Sequence, residues 1–202
     1  MGSELEAPVA FGAAQAYLKS IEPAFAQLEE AVRRRNSGGK DSITQNPGEI
    51  APVVTGIAFA IELFLKVLQI QELGDAQKGH DLLPLWKPLS AATRARIETR
   101  YEAALAAWVQ KGGLPFVSIV TNGTNSTFSP APSATCAAAL ERLGKAFEKW
   151  RYSYELMRSG GGMLYFNFAE ANAVVSAVRE EILNYPGNVV VSMKRNTPET
   201  GT

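Results

Sequence analysis

One apolar stretch, "APVVTGIAFAIELFLKVLQIQ" at residues 51–71, decides how this 202-residue chain folds. A helix that is apolar nearly all round has no face for solvent, so it lies inside a protein or inside a membrane. Glu62 and Lys66 stand near its middle, and each would cost about 2.5–3.5 kcal/mol at the centre of a bilayer. We therefore predict the buried central helix of a cytoplasmic protein that does not enter a membrane.

Helical periodicity continues on both sides of this stretch, with apolar side chains three and four residues apart. Pro23 interrupts the first pattern and predicts either a kink or a break near Ser20. Ser90 is placed to cap a later helix, whose charges alternate in sign as on a solvated face. The sequence thus predicts an all-α, antiparallel bundle of about five helices. Besides the central helix, these span residues 8–35, 90–112, 133–157 and 168–184.

The segment 113–131 interrupts the helical pattern, because it is rich in Gly, Ser and Thr. Asn122-Gly123 lies between β-branched residues, which predicts a hairpin, although a long ordered loop is the alternative. The segment is therefore a β-hairpin or loop insertion and a candidate lid or partner loop. We expect a single domain over residues 1–202, with flexible tails at 1–7 and 195–202.

Composition restricts the function more than it reveals it. Twenty basic and twenty acidic side chains cancel, which argues against a broad nucleic-acid-binding face but leaves room for a small basic groove. Cys136 is the only cysteine and His80 the only histidine, so neither a disulfide framework nor a typical zinc site is available. We expect a buried Cys136, no metal and no cofactor.

The two charges of the central helix need partners. Glu62 and Lys66 are four residues apart, so they share a face and can pair. An unpaired charge would be costly in a helix packed on all sides. Further polar partners are offered by His80, after a short connection, and by "KWRYSYE" at 149–155.

These residues carry a family resemblance. The stretch "AIELFLKVLQIQELGDAQKGHDLLPLW", residues 60–86, resembles the HEPN superfamily, whose members often have a Glu and a Lys four apart, a glycine-containing loop and a His-Asp-Leu triplet. "FEKWRYSYE", residues 147–155, is similar to a downstream Arg-Tyr stretch of bacterial members. The matching residues are Glu62, Lys66, His80, Asp81, Leu82, Arg151, Tyr152 and Glu155.

The resemblance implies a helical bundle, commonly dimeric, of the kind found in toxin–antitoxin and phage-defence systems. Many HEPN domains are metal-independent ribonucleases that use an arginine placed four to six residues before a histidine. Here the corresponding positions hold Leu73, Gly74 and Asp75. The usual dyad is absent, and His80 is only a weak catalytic candidate.

Two interpretations of the polar residues stay open. In one, His80 and Asp81 cap the short helix that follows and bond toward Arg151 or Glu155, in a network that fixes helix packing. In the other, the same residues line a cleft for nucleotide or RNA, with Lys66 and Arg151 holding phosphate and His80 acting as a general acid or base.

The function we expect is that of a non-catalytic HEPN-like module in a bacterial defence or stress system. It would act through dimerisation or by binding nucleotide, RNA or a partner protein such as an antitoxin or a nucleotidyltransferase. The alternative is a metal-independent ribonuclease or nucleotide-binding enzyme with a non-standard site.

Overall fold

Six helices and two short strands can be assigned in the part of the chain that the computed structural model describes, residues 6–36, 47–111, 116–120, 131–144, 146, 150 and 163–186. The helices are α1 (Ala7–Asn36), α2 (Pro47–Leu73), α3 (Leu82–Trp86), α4 (Ala91–Gln110), α5 (Cys136–Leu143) and α6 (Phe168–Asn184). The strands are β1 (Phe116–Val120) and β2 (Met163–Asn167). The predicted all-α bundle is confirmed.

Helix α2 lies at the centre of the bundle, where it packs against α1, α3 and α6. Among the described residues, only Ile50–Leu73 is long and apolar enough to cross a membrane. However, 78% of the most apolar 18-residue stretch of this helix is buried inside the protein. The burial is consistent with a water-soluble protein, because the apolar surface of α2 is already covered by other helices.

Helix α1 runs from Ala7 to Asn36 with Pro23 inside it, so of the predicted kink or break near Ser20 the break is absent. Its apolar face packs on α2, where the rings of Phe11 and Phe64 lie 5.5 Å apart. These tertiary contacts hold the helix together although a proline removes one backbone hydrogen bond. Ala7, assigned to the N-terminal tail by sequence, is the buried first residue of α1. The remainder of the tail prediction lies mostly outside the described residues.

Capping side chains fix where the later helices begin. Ser90 Oγ accepts a hydrogen bond from the Thr93 amide at 3.2 Å, which confirms the predicted cap of α4. Asn167 Oδ1 accepts one from the Glu170 amide at 3.0 Å at the start of α6. Helix α6 has the predicted bounds. The predicted helix 133–157 is described over α5 and at two further helical residues, 146 and 150.

Strands β1 and β2 form an antiparallel pair in which Phe116 is opposite Asn167 and Val120 opposite Met163. The segment 113–131 therefore contains a strand, and its described partner lies far along the chain rather than across a local hairpin turn. Asn122 and Gly123 lie outside the described residues. The pairing brings β1 to the N-terminal end of α6, which it contacts.

The buried side chains of all the described helices form one continuous core. Cys136 is fully buried, as predicted, and burial raises the pKa of its thiol. Trp86 and Trp150 are buried as well. Trp108 is half-buried, with its ring 6.2 Å from that of Phe25.

Candidate functional site

Glu62 is the centre of the site that the sequence predicts. It lies near the middle of α2 and is 1% exposed, yet both oxygens of its carboxylate have a partner. Lys66 donates to Oε1 at 2.7 Å, and His80 Nδ1 lies 3.0 Å from Oε2. Because an ionised carboxylate only accepts hydrogen bonds, we infer that the His80 Nδ1 atom carries a proton. Glu62 thus contacts both Lys66 and His80, and the wider predicted network stays a prediction.

The three side chains differ in their access to solvent. Lys66 is 14% exposed, so its ammonium is held largely inside the protein against Glu62. The His80 side chain is 53% exposed although one of its nitrogens faces the buried carboxylate. The site is therefore a buried ion pair with a half-exposed imidazole at its rim, rather than an open basic cleft.

The connection from α2 to α3 carries His80, and residues 74–81 are named the His80 loop from here on. Two glycines in it, Gly74 and Gly79, have φ values of 84° and 114°, which a residue with a side chain adopts only with strain. Gly79 immediately precedes His80, so this backbone conformation helps to turn the imidazole toward α2. A glycine-containing loop is thus required by the backbone at these positions.

Gln69 of α2 also holds the His80 loop in place. Its side chain is fully buried on α2; Nε2 donates to the Leu85 carbonyl oxygen at 2.6 Å and Oε1 accepts from the Gln77 amide at 2.7 Å. Gln69 is not among the site residues predicted from the sequence. The signal was an uncharged polar side chain on an apolar helix, which has to find partners when it is buried.

The remaining predicted site residues contribute less or lie elsewhere. Asp81 occupies the N-cap position of α3, but its side chain makes no capping hydrogen bond and is exposed. The predicted side-chain cap by Asp81 is therefore wrong. Arg151, Tyr152 and Glu155 lie outside the described residues, so their predicted contact with His80 or Asp81 stays a prediction.

A second buried carboxylate, Glu181 on α6, faces α4. Arg96 donates to its Oε1 through Nη2 at 2.6 Å and through Nε at 2.9 Å, and Arg100 pairs with Oε2. The pKa of Arg96 is raised by its hydrogen bond to Glu181. Thr93 links this cluster to α2, since its hydroxyl donates to Glu72 at 3.1 Å. The alternating charges of α4 are thus not simply a solvated face, because two of them join α4 to α6.

A third buried carboxylate, Glu170, lies in the first turn of α6. Its Oε1 accepts from the Ser133 amide and pairs with Arg142 at 2.8 Å. Burial raises the pKa of Glu170, against the lowering effect of the Ser133 hydrogen bonds and of Arg142. The hydroxyl of Tyr101 donates to the carbonyl oxygen of Ser133 at 2.9 Å. This cluster fixes the segment before α5 onto α4 and α6.

Of the three clusters, only the one around Glu62 contains residues of the sequence motif. This cluster can anchor a loop, and it places a half-exposed imidazole against a buried carboxylate. Within the described ranges, no three His, Cys, Asp or Glu side chains lie close enough together to hold a metal ion.

Comparison of the chain with protein-family models, with curated proteins and with solved structures found no match.

Proposed function

We propose that this chain is a non-catalytic HEPN-like module of a bacterial defence or stress system that binds a partner protein in the cytoplasm through the His80 loop. The family part of the proposal is supported by three of the residues that match the motif, Glu62, Lys66 and His80, because Glu62 contacts both of the others. The partner is a second copy of the chain or an antitoxin-like or nucleotidyltransferase-like protein.

The observation that carries the proposal is that the Glu62 carboxylate engages both Lys66 and His80. A phosphate group that approached Lys66 would have to compete with a counter-charge already 2.7 Å away and nearly sealed from water. Removing one partner of a buried ion pair is costly. The geometry therefore favours a structural role for Lys66, as a part of the anchor of the loop, over a role in holding RNA or nucleotide.

The exposed surface next to this anchor suits a protein partner. Leu73, at the end of α2, is 52% exposed although it is a large apolar residue, and the exposed His80 loop follows it directly. The loop carries both signs of charge, with Asp75, Lys78 and Asp81 all exposed. An apolar side chain surrounded by polar groups of both signs is typical of a protein interface rather than of a nucleic-acid footprint.

Sedimentation tests the homodimer version of the proposal. At micromolar concentration we expect a dimer that Leu73→Ser converts to monomer, whereas the matched control Val109→Ser, at an equally exposed position on α4, leaves it intact. A dimer that survives Leu73→Ser would place the interface elsewhere. A wild-type protein that stays monomeric would exclude the homodimer. The partner would then be a different protein, to be sought by co-purification with the products of neighbouring genes.

A metal-independent ribonuclease or nucleotide-binding enzyme is the second candidate. It is favoured by the half-exposed imidazole whose Nδ1 faces a buried carboxylate, an arrangement that orients a histidine for general acid–base work. Incubation of the protein with single-stranded RNA in the presence of a chelator tests it. RNA cleavage that His80→Ala abolishes, and that the loop control Lys78→Ala retains, would establish the enzyme and overturn the non-catalytic proposal.

A further inference from the structure

A groove between α1 and α6 shares no residue with the surroundings of Glu62. It has a volume of about 470 Å³, which falls in the range of about 300–1,000 Å³ typical of small-ligand sites. Four of its residues lie on one face of α1, and three on one face of α6. They are Gln15, Leu18, Lys19 and Glu22 of α1, and Val175, Ser176 and Arg179 of α6.

The two helices run antiparallel along the groove. The rings of Phe25, in the second half of α1, and Phe168, the first residue of α6, lie 5.2 Å apart. Gln15, ten residues before Phe25, and Arg179, eleven residues after Phe168, both line the groove. Side chains from the two helices therefore face each other across the groove.

The charges in the groove are unequal. Lys19 and Arg179 are both exposed, and within the described part of the chain neither has a carboxylate within ion-pair distance. Glu22, one turn after Lys19, is the single acid among the lining residues. A protein with no net charge overall thus has one groove lined by two cations and one anion.

The uncharged residues complete a site with an apolar side and hydrogen-bonding groups. Val175 is buried and Leu18 is half-buried, so they offer apolar surface at the base of the groove. Ser176 adds a hydroxyl and Gln15 an amide, both of which donate hydrogen bonds. Most small-ligand sites combine apolar walls with a few polar groups that fix orientation.

We propose that this groove binds a small organic monophosphate. The phosphate lies between Lys19 and Arg179, and the apolar part of the ligand lies on Leu18 and Val175. Arginine matches the oxygens of a phosphate with two parallel hydrogen bonds, and lysine adds a point charge. The Glu22 carboxylate repels a second phosphate group, so the groove selects a monophosphate with an apolar body over a polyphosphate.

Calorimetric titration of the 202-residue chain with three probes tests this proposal. Phenyl phosphate carries both recognised parts, inorganic phosphate only the anion, and benzyl alcohol only the apolar body. We expect phenyl phosphate to bind more tightly than inorganic phosphate, and benzyl alcohol not to bind. Absence of phenyl phosphate binding at millimolar concentration, or equal affinity for phenyl phosphate and inorganic phosphate, would overturn the proposal.

Substitutions at the exposed lining residues locate the binding. Lys19→Gln and Arg179→Gln should each weaken phenyl phosphate binding by about tenfold or more, since each removes a charged hydrogen-bond donor. Glu22→Gln should strengthen it, because a repulsive charge is lost. The control Lys87→Gln removes an exposed cation that does not line the groove; if it weakens binding as much as Lys19→Gln, only general charge attraction is at work and the proposal fails. Because the groove and the His80 loop share no residue, the two proposals are tested independently.

Discussion

Removal of the Glu62 carboxylate should destabilise the protein strongly. Glu62→Leu leaves the Lys66 ammonium, 14% exposed, without the counter-charge that now lies 2.7 Å away. Breaking a buried ion pair from one side costs about 3–5 kcal/mol. Because Lys66 retains some contact with water, we expect the lower end, about 3 kcal/mol. The link to His80 adds little, about 0–1 kcal/mol, because that side chain is 53% exposed.

Combination of Glu62→Leu with Lys66→Met separates the ion pair from the other contacts of both residues. Replacement of a whole buried pair by apolar side chains of similar volume is often neutral or stabilising. We therefore expect each single variant to lose about 3 kcal/mol and the double variant to lie within about 1 kcal/mol of the wild type. Urea unfolding followed by circular dichroism gives the three free energies of unfolding.

An exposed acid on α4 supplies the matched control. Glu102→Ala, on the solvent side of that helix, should change the free energy of unfolding by no more than about 0.5 kcal/mol. If Glu62→Leu costs no more than this control, the buried ion pair does not stabilise the fold. If the two single losses simply add in the double variant, Glu62 and Lys66 are not coupled and the reasoning fails.

Three further predictions concern packing, a buried amide and pH. Gly56→Ala should be less stable than Gly12→Ala by about 1–3 kcal/mol, since a Cβ at Gly56 lies 2.8 Å from Ile21 whereas one at Gly12 meets nothing within 4 Å; equal melting temperatures would contradict this. Gln69→Leu should cost about 1–3 kcal/mol in urea unfolding, because it leaves two backbone groups without their partner; a neutral effect would count against the anchored loop. Burial raises the pKa of Glu170 above its ordinary 4.5, so the folded protein binds this proton more tightly than the unfolded chain does. The stability that this proton contributes is present below about pH 4.5 and is lost as pH rises through the raised pKa. The stability of the wild type relative to Glu170→Gln should therefore fall over this range, and a rise would contradict the sign.

Most of the helical architecture follows from local sequence patterns. Apolar spacing gives α4 and α6 almost to the residue, and Ser90 adds the cap of α4, because both signals act within one or two turns of helix. The sequence leaves the continuity of α1 open, since Pro23 predicts either a kink or a break, and packing against α2 holds the helix together. The partner of β1 does not follow from the sequence either, because no local turn determines that Phe116 pairs with Asn167.

The candidate site, like the fold, follows from the sequence only in part. The pairing of Glu62 with Lys66 follows from helical spacing, and the approach of His80 follows from the motif. The roles of Gln69 and Glu181 depend on which side chains neighbouring helices bring close, so a single sequence does not contain them. A buried polar residue in an apolar pattern indicates only that a partner is needed, and the tertiary structure supplies its identity.

The attachment of the His80 loop to α2 through Glu62 is tested most directly by nitrogen NMR of the histidine ring. His80 is the only histidine, so every imidazole nitrogen signal belongs to this one ring. In the neutral ring, we expect the proton on Nδ1, held by the Glu62 carboxylate, and its loss from that position in Glu62→Leu. A wild-type ring that carries its proton on Nε2, or a spectrum that Glu62→Leu leaves unchanged, would contradict the attachment.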